Sequence, residues 1–126
     1  MRKLLVVLLL LWAGSVEAQT CNGFTGTPIK PFAYEAITVS SSSKALTAAT
    51  YDTGALKAVM AYMTLETASI RFRVDGGAPT TAVGHLVTQA SNVSLTVCGE
   101  TAIRAFRAIA TGTDASLLVT YYAFGN

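Results

Sequence analysis

The residues of this chain that could carry chemistry are few, and most of them fit ordinary structural roles. The chain has one histidine, His85, and two cysteines, Cys21 and Cys98. A serine nucleophile would be favoured by a Gly-x-Ser-x-Gly elbow, which the sequence lacks, and paired carboxylates for glycoside cleavage would come mainly from predicted turns. The acidic side chains outside the N-terminal segment are Glu35, Asp52, Glu66, Asp75, Glu100 and Asp114. The inventory predicts a protein that is not an enzyme and uses no cofactor.

The two cysteines predict a disulfide if the chain is exported, because oxidising compartments preserve such bonds. The bond would join Cys21, near the N-terminus, to Cys98 in a late strand. For a loop this long, the chain-entropy model gives a stabilisation of about 4 kcal/mol. The alternative is two unpaired thiols, with Cys98 as a small buried hydrophobic residue. The cysteines form no cluster with each other or with the histidine, so the spacing does not predict a metal site.

The first eighteen residues have the layout of a secretory signal peptide. Two positive charges in Met1–Lys3 precede the apolar run Leu4–Ala13, and Val16-Glu17-Ala18 offers a cleavage site. The apolar run is shorter than the roughly 20 residues that a membrane-spanning helix needs. Residues 1–18 are therefore predicted to be a leader whose removal leaves no stable membrane span, with a secreted or periplasmic product.

Composition limits the partners of the protein. The chain has 126 residues, of which 52% are hydrophobic and 13% charged, with a formal net charge of +2. That length predicts one domain, and the sparse charge excludes a strongly basic nucleic-acid binder. A small soluble monomer usually carries more surface charge than this. The composition therefore favours a homo-oligomer or a protein bound to a partner surface.

The rest of the chain predicts an extended arm followed by an all-β domain. Residues 19–31 are rich in Gly and Pro and predict an arm without regular structure. Residues 32–126 predict an antiparallel β-sandwich, jelly-roll or immunoglobulin-like, of eight to nine short strands separated by turns. For residues 56–65 a helical stripe competes with strand alternation, and the strand-rich neighbourhood favours a strand. The predicted strands are 34–40, 44–48, 56–65, 69–74, 84–88, 93–98, 103–109 and 117–124, with 111–114 as a hairpin loop between the last two.

The clearest strand signal lies in residues 69–74. Ile70, Phe72 and Val74 alternate with Arg71 and Arg73, which predicts an apolar side facing the core and a basic side facing outward. On this pattern, replacing Phe72 by alanine should cost about 3–5 kcal/mol.

The strongest turn signal follows directly. Asp75, Gly76, Gly77 and Pro79 form a cluster that predicts a positive φ at one of the two glycines and a loop or edge position for the proline.

Two groups of side chains are candidates for an interaction face. Arg71 and Arg73 could meet an acidic partner, although a solvated sheet face with cross-strand pairs to Glu66 or Glu100 is the favoured explanation. Near the C-terminus, Tyr121, Tyr122 and Phe124 could form an aromatic platform.

Several segments resemble small, nearly all-β structural proteins of tailed phages. The resemblance implies a virion component without cofactor, such as a capsid decoration protein or a head or tail accessory protein. Its partners would be copies of itself and a phage coat or tail protein, with no nucleic acid. The segments that carry the resemblance are Ile70–Thr80, Val83–Leu86, Ile37–Ser40, Leu46–Ala49, Phe106–Ile109 and Leu118–Tyr121.

A second resemblance covers a shorter span. Ile70–Thr80 is similar to the Asp-Gly-x-x-Pro-Thr turn of Ig-like modules that accompany chitobiase-type glycosidases. Those modules are accessory sandwiches, so this resemblance implies a secreted binding module, with carbohydrate as one ligand class.

Overall fold

The computed structural model describes Cys21, residues 26–90 and residues 93–125. The predicted leader, residues 1–18, lies outside the described residues, as do residues 19, 20 and 22–25 of the predicted arm. The described part of the chain forms eight strands in two antiparallel sheets and two short helices, which confirms a mainly β, sandwich-like architecture. In chain order the elements are β1 (Ile29–Val39), β2 (Lys44–Ala45), α1 (Ala48–Tyr51), β3 (Met60–Glu66), β4 (Ile70–Arg73), β5 (His85–Val87), β6 (Ser94–Cys98), α2 (Glu100–Ala105), β7 (Arg107–Ala110) and β8 (Ala115–Phe124).

The two sheets enclose one hydrophobic core. The sheet with strand order β1-β8-β3-β6 is called the front sheet here, and the sheet with order β2-β7-β4-β5 the back sheet. Met63 and Val119 of the front sheet are buried in the same cluster as Ile70 and Ala108 of the back sheet. Because both inner faces contribute to it, neither sheet could bury its apolar side without the other.

Strand β8 is the centre of the front sheet and shows a strict period of two. Every second residue is buried, starting at Ala115 and continuing through Leu117, Val119, Tyr121 and Ala123. The side chains between them point outward, as the pleat of a strand requires. Strand β8 pairs with β1 on one side and β3 on the other, so its outward residues lie in the middle of an exposed sheet face.

Strand β1 is longer than the sequence predicted. It begins at Ile29, so the last three residues of the predicted arm are part of the sheet. The register with β8 shifts between Pro31 and Ala33. Proline cannot donate a ladder hydrogen bond, and β1 tolerates it because the strand lies at the sheet edge and is bulged there. For residues 56–65 the strand interpretation is confirmed, with β3 beginning at Met60.

Residues 103–109 do not form one strand, and that prediction is wrong. Helix α2 occupies Glu100–Ala105, and only Arg107–Ala110 are extended. Within α2, Arg104 and Glu100 form an ion pair of 2.6 Å one turn apart, and Ile103 points into the core. A helix this short depends on tertiary packing and leaves little periodicity in the sequence.

The loop at residues 111–114 is not a hairpin either. It carries the chain from β7 in the back sheet to β8 in the front sheet. Strand β7 finds its partners in β2 and β4, and the amide of Ala110 donates to the carbonyl of Ser40 at 2.8 Å. Both sides of β7 are therefore occupied before the chain crosses over.

Candidate functional site

The two groups of residues predicted as candidates for an interaction face lie on different sides of the molecule. Arg71 and Arg73 lie on the outer side of the back sheet, and Tyr122 lies on the outer side of the front sheet. Tyr121 is 0% exposed and points into the core, so its assignment to an interaction surface is wrong. The reason is the phase of β8, in which Tyr121 belongs to the buried set and Tyr122 to the outward set.

Tyr121 forms a hydrogen bond from the core to the acidic side chain of Glu35. Its hydroxyl donates to Glu35 of β1, and the amide of Thr47, just before α1, donates to the same carboxylate oxygen at 3.1 Å. The ring also packs against Tyr51 of α1, with 6.1 Å between ring centroids. Burial raises the pKa of Tyr121, and the hydrogen bond to Glu35 adds to that rise. The arrangement is a structural joint between α1, β1 and β8.

Replacing Tyr121 by phenylalanine is expected to lower the free energy of unfolding by about 1.5–3 kcal/mol at neutral pH, since the Glu35 carboxylate loses a donor. The raised pKa also stabilises the fold below the unfolded-state pKa of about 10, and that contribution is lost as the pH rises beyond it. Urea denaturation at pH 7 and pH 11 measures both effects. The control Tyr62→Phe, at an exposed position, should change neither; an unchanged pH dependence in Tyr121→Phe would contradict the assignment.

The outer side of the front sheet is a face with almost no charge that is rich in tyrosine. Tyr34 of β1 and Tyr62 of β3 both lie opposite Thr120 of β8, one on each side. Because neighbouring strands are about 4.8 Å apart, the two tyrosines stand about 10 Å apart across the sheet. Their side chains are 61% and 40% exposed, respectively. This row predicts a flat platform able to contact another surface.

Further outward residues extend this platform, which is called the front face below. Tyr122 lies between Pro31 and Met60 in the next row, and Leu118 lies between Ala36 and Thr64 on the other side. Among the outward residues of the four strands, only Glu66 at the end of β3 is charged. The front face consists of Ile29, Pro31, Tyr34, Ala36, Thr38, Met60, Tyr62, Thr64, Glu66, Ser94, Thr96, Cys98, Ser116, Leu118, Thr120, Tyr122 and Phe124.

A disulfide closes one side of the front face. Cys98, the last residue of β6, is bonded to Cys21, with 5.5 Å between their Cα atoms. The predicted pairing is therefore present in the structure. Cys98 lies opposite Met60 at one edge of the sheet, whereas β1 forms the other edge. The bond thus ties the residues before β1 to the strand farthest from it in the same sheet.

The turn after β4 is built as predicted. Gly76 has a φ of +83°, and Pro79 lies in a loop without regular structure, where it is buried. Arg73 forms an ion pair with Asp75 at 2.5 Å, and the amide of Gly77 donates to Asp75 at 3.1 Å. The hydrogen bond from Arg73, followed by that from Gly77, holds the pKa of Asp75 below its usual value.

The predicted alternation of inward and outward side chains in residues 69–74 is confirmed for two of its three apolar residues. Ile70 is buried and Phe72 packs against the core, stacked on Phe106 with 5.7 Å between ring centroids. Val74 is 37% exposed, so its predicted place in the core is wrong. Strand β4 ends at Arg73, the last residue paired with β7, and the chain turns away before Val74.

Arg71 holds the loop between β4 and β5 against the sheet. Its guanidinium donates to the carbonyls of Thr81 and Gly84 at 2.8 Å and 2.9 Å. Gly84 has a φ of +119°, and a Cβ at that position would lie 3.0 Å from the carbonyl oxygen of Phe72 and 3.2 Å from the Cβ of Pro79. The loop therefore packs so closely that only glycine fits there without strain.

Gly84→Ala is accordingly expected to lower the free energy of unfolding by about 1–3 kcal/mol, from backbone strain and contact with Phe72 and Pro79. Gly112→Ala is the matched control, because a Cβ there meets no atom within 4 Å and the φ is not positive. Thermal denaturation of the two variants should separate them clearly. Equal melting temperatures would contradict the close packing described for this loop.

Sequence reasoning missed a group of four balanced charges beside α2. Arg104 bonds Asp52 at 3.1 Å and Glu100 at 2.6 Å, and Lys57 lies within 4 Å of both carboxylates. The spacing of Glu100 and Arg104 was the one local signal for this cluster. The cluster joins the end of α1 to α2 on the surface and fits a structural role.

The described residues contain no group of three His, Cys, Asp or Glu side chains that could hold a metal ion. Within the same residues, no helix has both the length and the apolar character needed to cross a membrane. The fold and the front face thus define a disulfide-linked, two-sheet β protein with one tyrosine-rich side that carries almost no charge. Comparison with protein-family models, curated proteins and solved structures finds no match for the chain.

Proposed function

We propose that this chain is a non-enzymatic structural protein of a phage virion, a capsid decoration protein or a head or tail accessory protein. The observation that carries the proposal is the front face, which is nearly free of charge and on which Tyr34 and Tyr62 are exposed. Protein interfaces are enriched in tyrosine, phenylalanine and methionine and depleted in charge at their centre. The front face would lie against a coat or tail protein, with copies of the chain side by side.

The proposal includes a jelly-roll or immunoglobulin-like path through the two sheets and a location in the virion. The Cys21–Cys98 bond supports a working place outside the reducing cytoplasm, such as a released particle or the periplasm.

The test uses particles collected from cells that produce the chain. Mass spectrometry and immunogold microscopy are expected to find it at regular sites on the particles. Tyr62→Lys places a charge in the middle of the front face and should abolish attachment of the chain to the particles. Because position 62 is exposed, the variant should still fold. Lys44→Gln, at the edge of the back sheet, is the control and should attach normally. A chain that is a monodisperse monomer at high concentration and is absent from particles would contradict the proposal.

One observation favours a second function, a secreted carbohydrate-binding module. Tyr34 and Tyr62 flank Thr120 in one row, so two aromatic rings and a hydroxyl lie in line across the sheet. Tyrosines on strands about 10 Å apart suit stacking against sugar units of an extended glycan. Pelleting with insoluble cellulose and chitin tests this function. Binding that is lost in Tyr34→Ala, together with absence from particles, would favour it over a virion role.

A further inference from the structure

We propose that the outer side of the back sheet is a second docking surface, and that it binds an acidic segment of a partner protein. This surface, called the back face, consists of Arg71, Arg73, Leu86, Arg107 and Ile109. It lies on the side of the molecule opposite the front face, and the proposal does not depend on what the front face binds.

The arrangement of the arginines is the first argument. Arg73 of β4 lies directly opposite Arg107 of β7, and Arg71 is on the same side two residues earlier. Like charges opposite each other in a sheet destabilise the pairing. Three arginines on one sheet side therefore cost stability unless an anion lies against them.

The partners of these arginines supply too little negative charge. Asp75 forms an ion pair with Arg73, but Arg71 and Arg107 form none within the described part of the chain. Arg71 donates to carbonyls of the following loop, and Arg107 donates to the carbonyls of Arg104 and Phe106 at 3.1 Å and 2.8 Å. Carbonyls fix a guanidinium in place without cancelling its charge.

The distribution of charge elsewhere makes this surface distinctive. Beside α2, Asp52 and Glu100 balance Lys57 and Arg104 within one cluster. On the back face, Arg73 alone is paired with a carboxylate, that of Asp75, and Arg71 and Arg107 form no ion pair within the described residues. The described residues thus concentrate uncompensated positive charge on the outer side of the back sheet, where the guanidinium groups are already oriented.

The neighbouring side chains indicate the kind of partner. Leu86 is 51% exposed beside Arg71, and Ile109 lies opposite Arg71 on the other strand, buried but outside the core cluster. Arginine mixed with aliphatic side chains is typical of protein interfaces, and guanidinium groups bind carboxylates through paired hydrogen bonds. Nucleic acid would need a longer basic track along its phosphates. The surface therefore fits an extended protein segment that alternates acidic and aliphatic residues.

The experiment uses the full chain purified after export and a fluorescent eight-residue peptide of alternating Glu and Val. Fluorescence anisotropy should show binding at low salt that weakens about tenfold or more at high salt, because salt screens exposed charges. The matching peptide of alternating Gln and Val should not bind. Arg107→Gln should weaken binding about fivefold or more, whereas Lys30→Gln, the same change in charge on β1, should leave it unchanged.

Asp75→Asn provides an outcome that misfolding cannot imitate. It removes the carboxylate that pairs with Arg73 and keeps an oxygen for the amide of Gly77. We expect it to tighten peptide binding about threefold or more, since the peptide no longer competes with Asp75. Absence of peptide binding, an equal loss in Lys30→Gln, or tighter binding of an eight-nucleotide oligothymidylate would overturn the proposal. Tyr62→Ser on the front face should leave peptide binding unchanged, which separates this result from the virion test.

Discussion

Replacing Phe106 by alanine is expected to lower the free energy of unfolding by about 3–5 kcal/mol, the range for a buried phenylalanine. Phe106 is 1% exposed and lies between α2 and β7, with its ring stacked on Phe72. Domains of this size are stable by only about 5–15 kcal/mol, so the variant should lose a large part of its folded population. Urea denaturation followed by circular dichroism measures the change.

Two further alanine substitutions calibrate this result. Phe72→Ala should cost less than Phe106→Ala, because Phe72 is only partly buried and its ring also meets the exposed His85. Alternation alone predicted a loss of about 3–5 kcal/mol in the free energy of unfolding for Phe72→Ala, but that range holds for fully buried rings. We therefore expect a smaller loss. Leu86→Ala, on the exposed back face, is the control and should lie within about 0.5 kcal/mol of the parent chain. A Phe106→Ala variant as stable as Leu86→Ala would refute the packing described here.

Removal of the disulfide is expected to have the second large effect. The Cys21–Cys98 bond closes a loop with a sequence separation of 77, for which the chain-entropy model gives about 4 kcal/mol. The variant Cys21→Ser/Cys98→Ser should therefore unfold at a much lower urea concentration than the oxidised parent. The physical cause is the larger conformational freedom of the unfolded chain once the link is gone.

Reductant supplies the matched control for that variant. It should lower the stability of the parent to that of the double-serine chain and leave the double-serine chain itself unchanged. A parent chain whose urea midpoint does not move under reducing conditions would show that the bond contributes nothing to stability.

The strands and the main turn could be predicted because their signals are local. The alternation through Ile70 and Phe72 reports one buried side, and Gly76 takes the positive φ that its turn needs. The disulfide pairing was predicted from the presence of two cysteines together with the predicted leader. The strands and the turn each depend on a few neighbouring residues. For the two cysteines the only alternative to a disulfide was a pair of free thiols.

The burial of Tyr121 was not predicted because the sequence signal in β8 is weak at that residue. Strand β8 carries apolar residues in both phases, with Leu117 and Tyr121 in one and Leu118 and Tyr122 in the other. The polar residues Ser116 and Thr120 lie only in the second phase, but the adjacent Tyr121 and Tyr122 do not themselves distinguish the phases. In the folded chain the hydroxyl of Tyr121 is buried and donates to Glu35, which lies 86 residues away in sequence.

The crossover after β7 was missed for a similar reason. A short Thr- and Gly-rich loop between two strands predicts a hairpin when nothing is known of other partners. In the folded chain β7 already lies between β2 and β4, and β8 completes the other sheet. Such an outcome depends on the order of all the strands, which adjacent residues do not encode.

The disulfide also determines how the folded chain would respond to mechanical force. A pull applied between residue 21 and the C-terminus passes from Cys21 directly through the sulfur atoms to Cys98. Residues 22–97, with strands β1 to β5 and nearly all of β6, then lie outside the force-bearing path. Only residues 99–126 can be drawn out, a contour of about 90–100 Å at full extension. Under tension the oxidised protein would act as a short tether that keeps most of its sequence from being stretched.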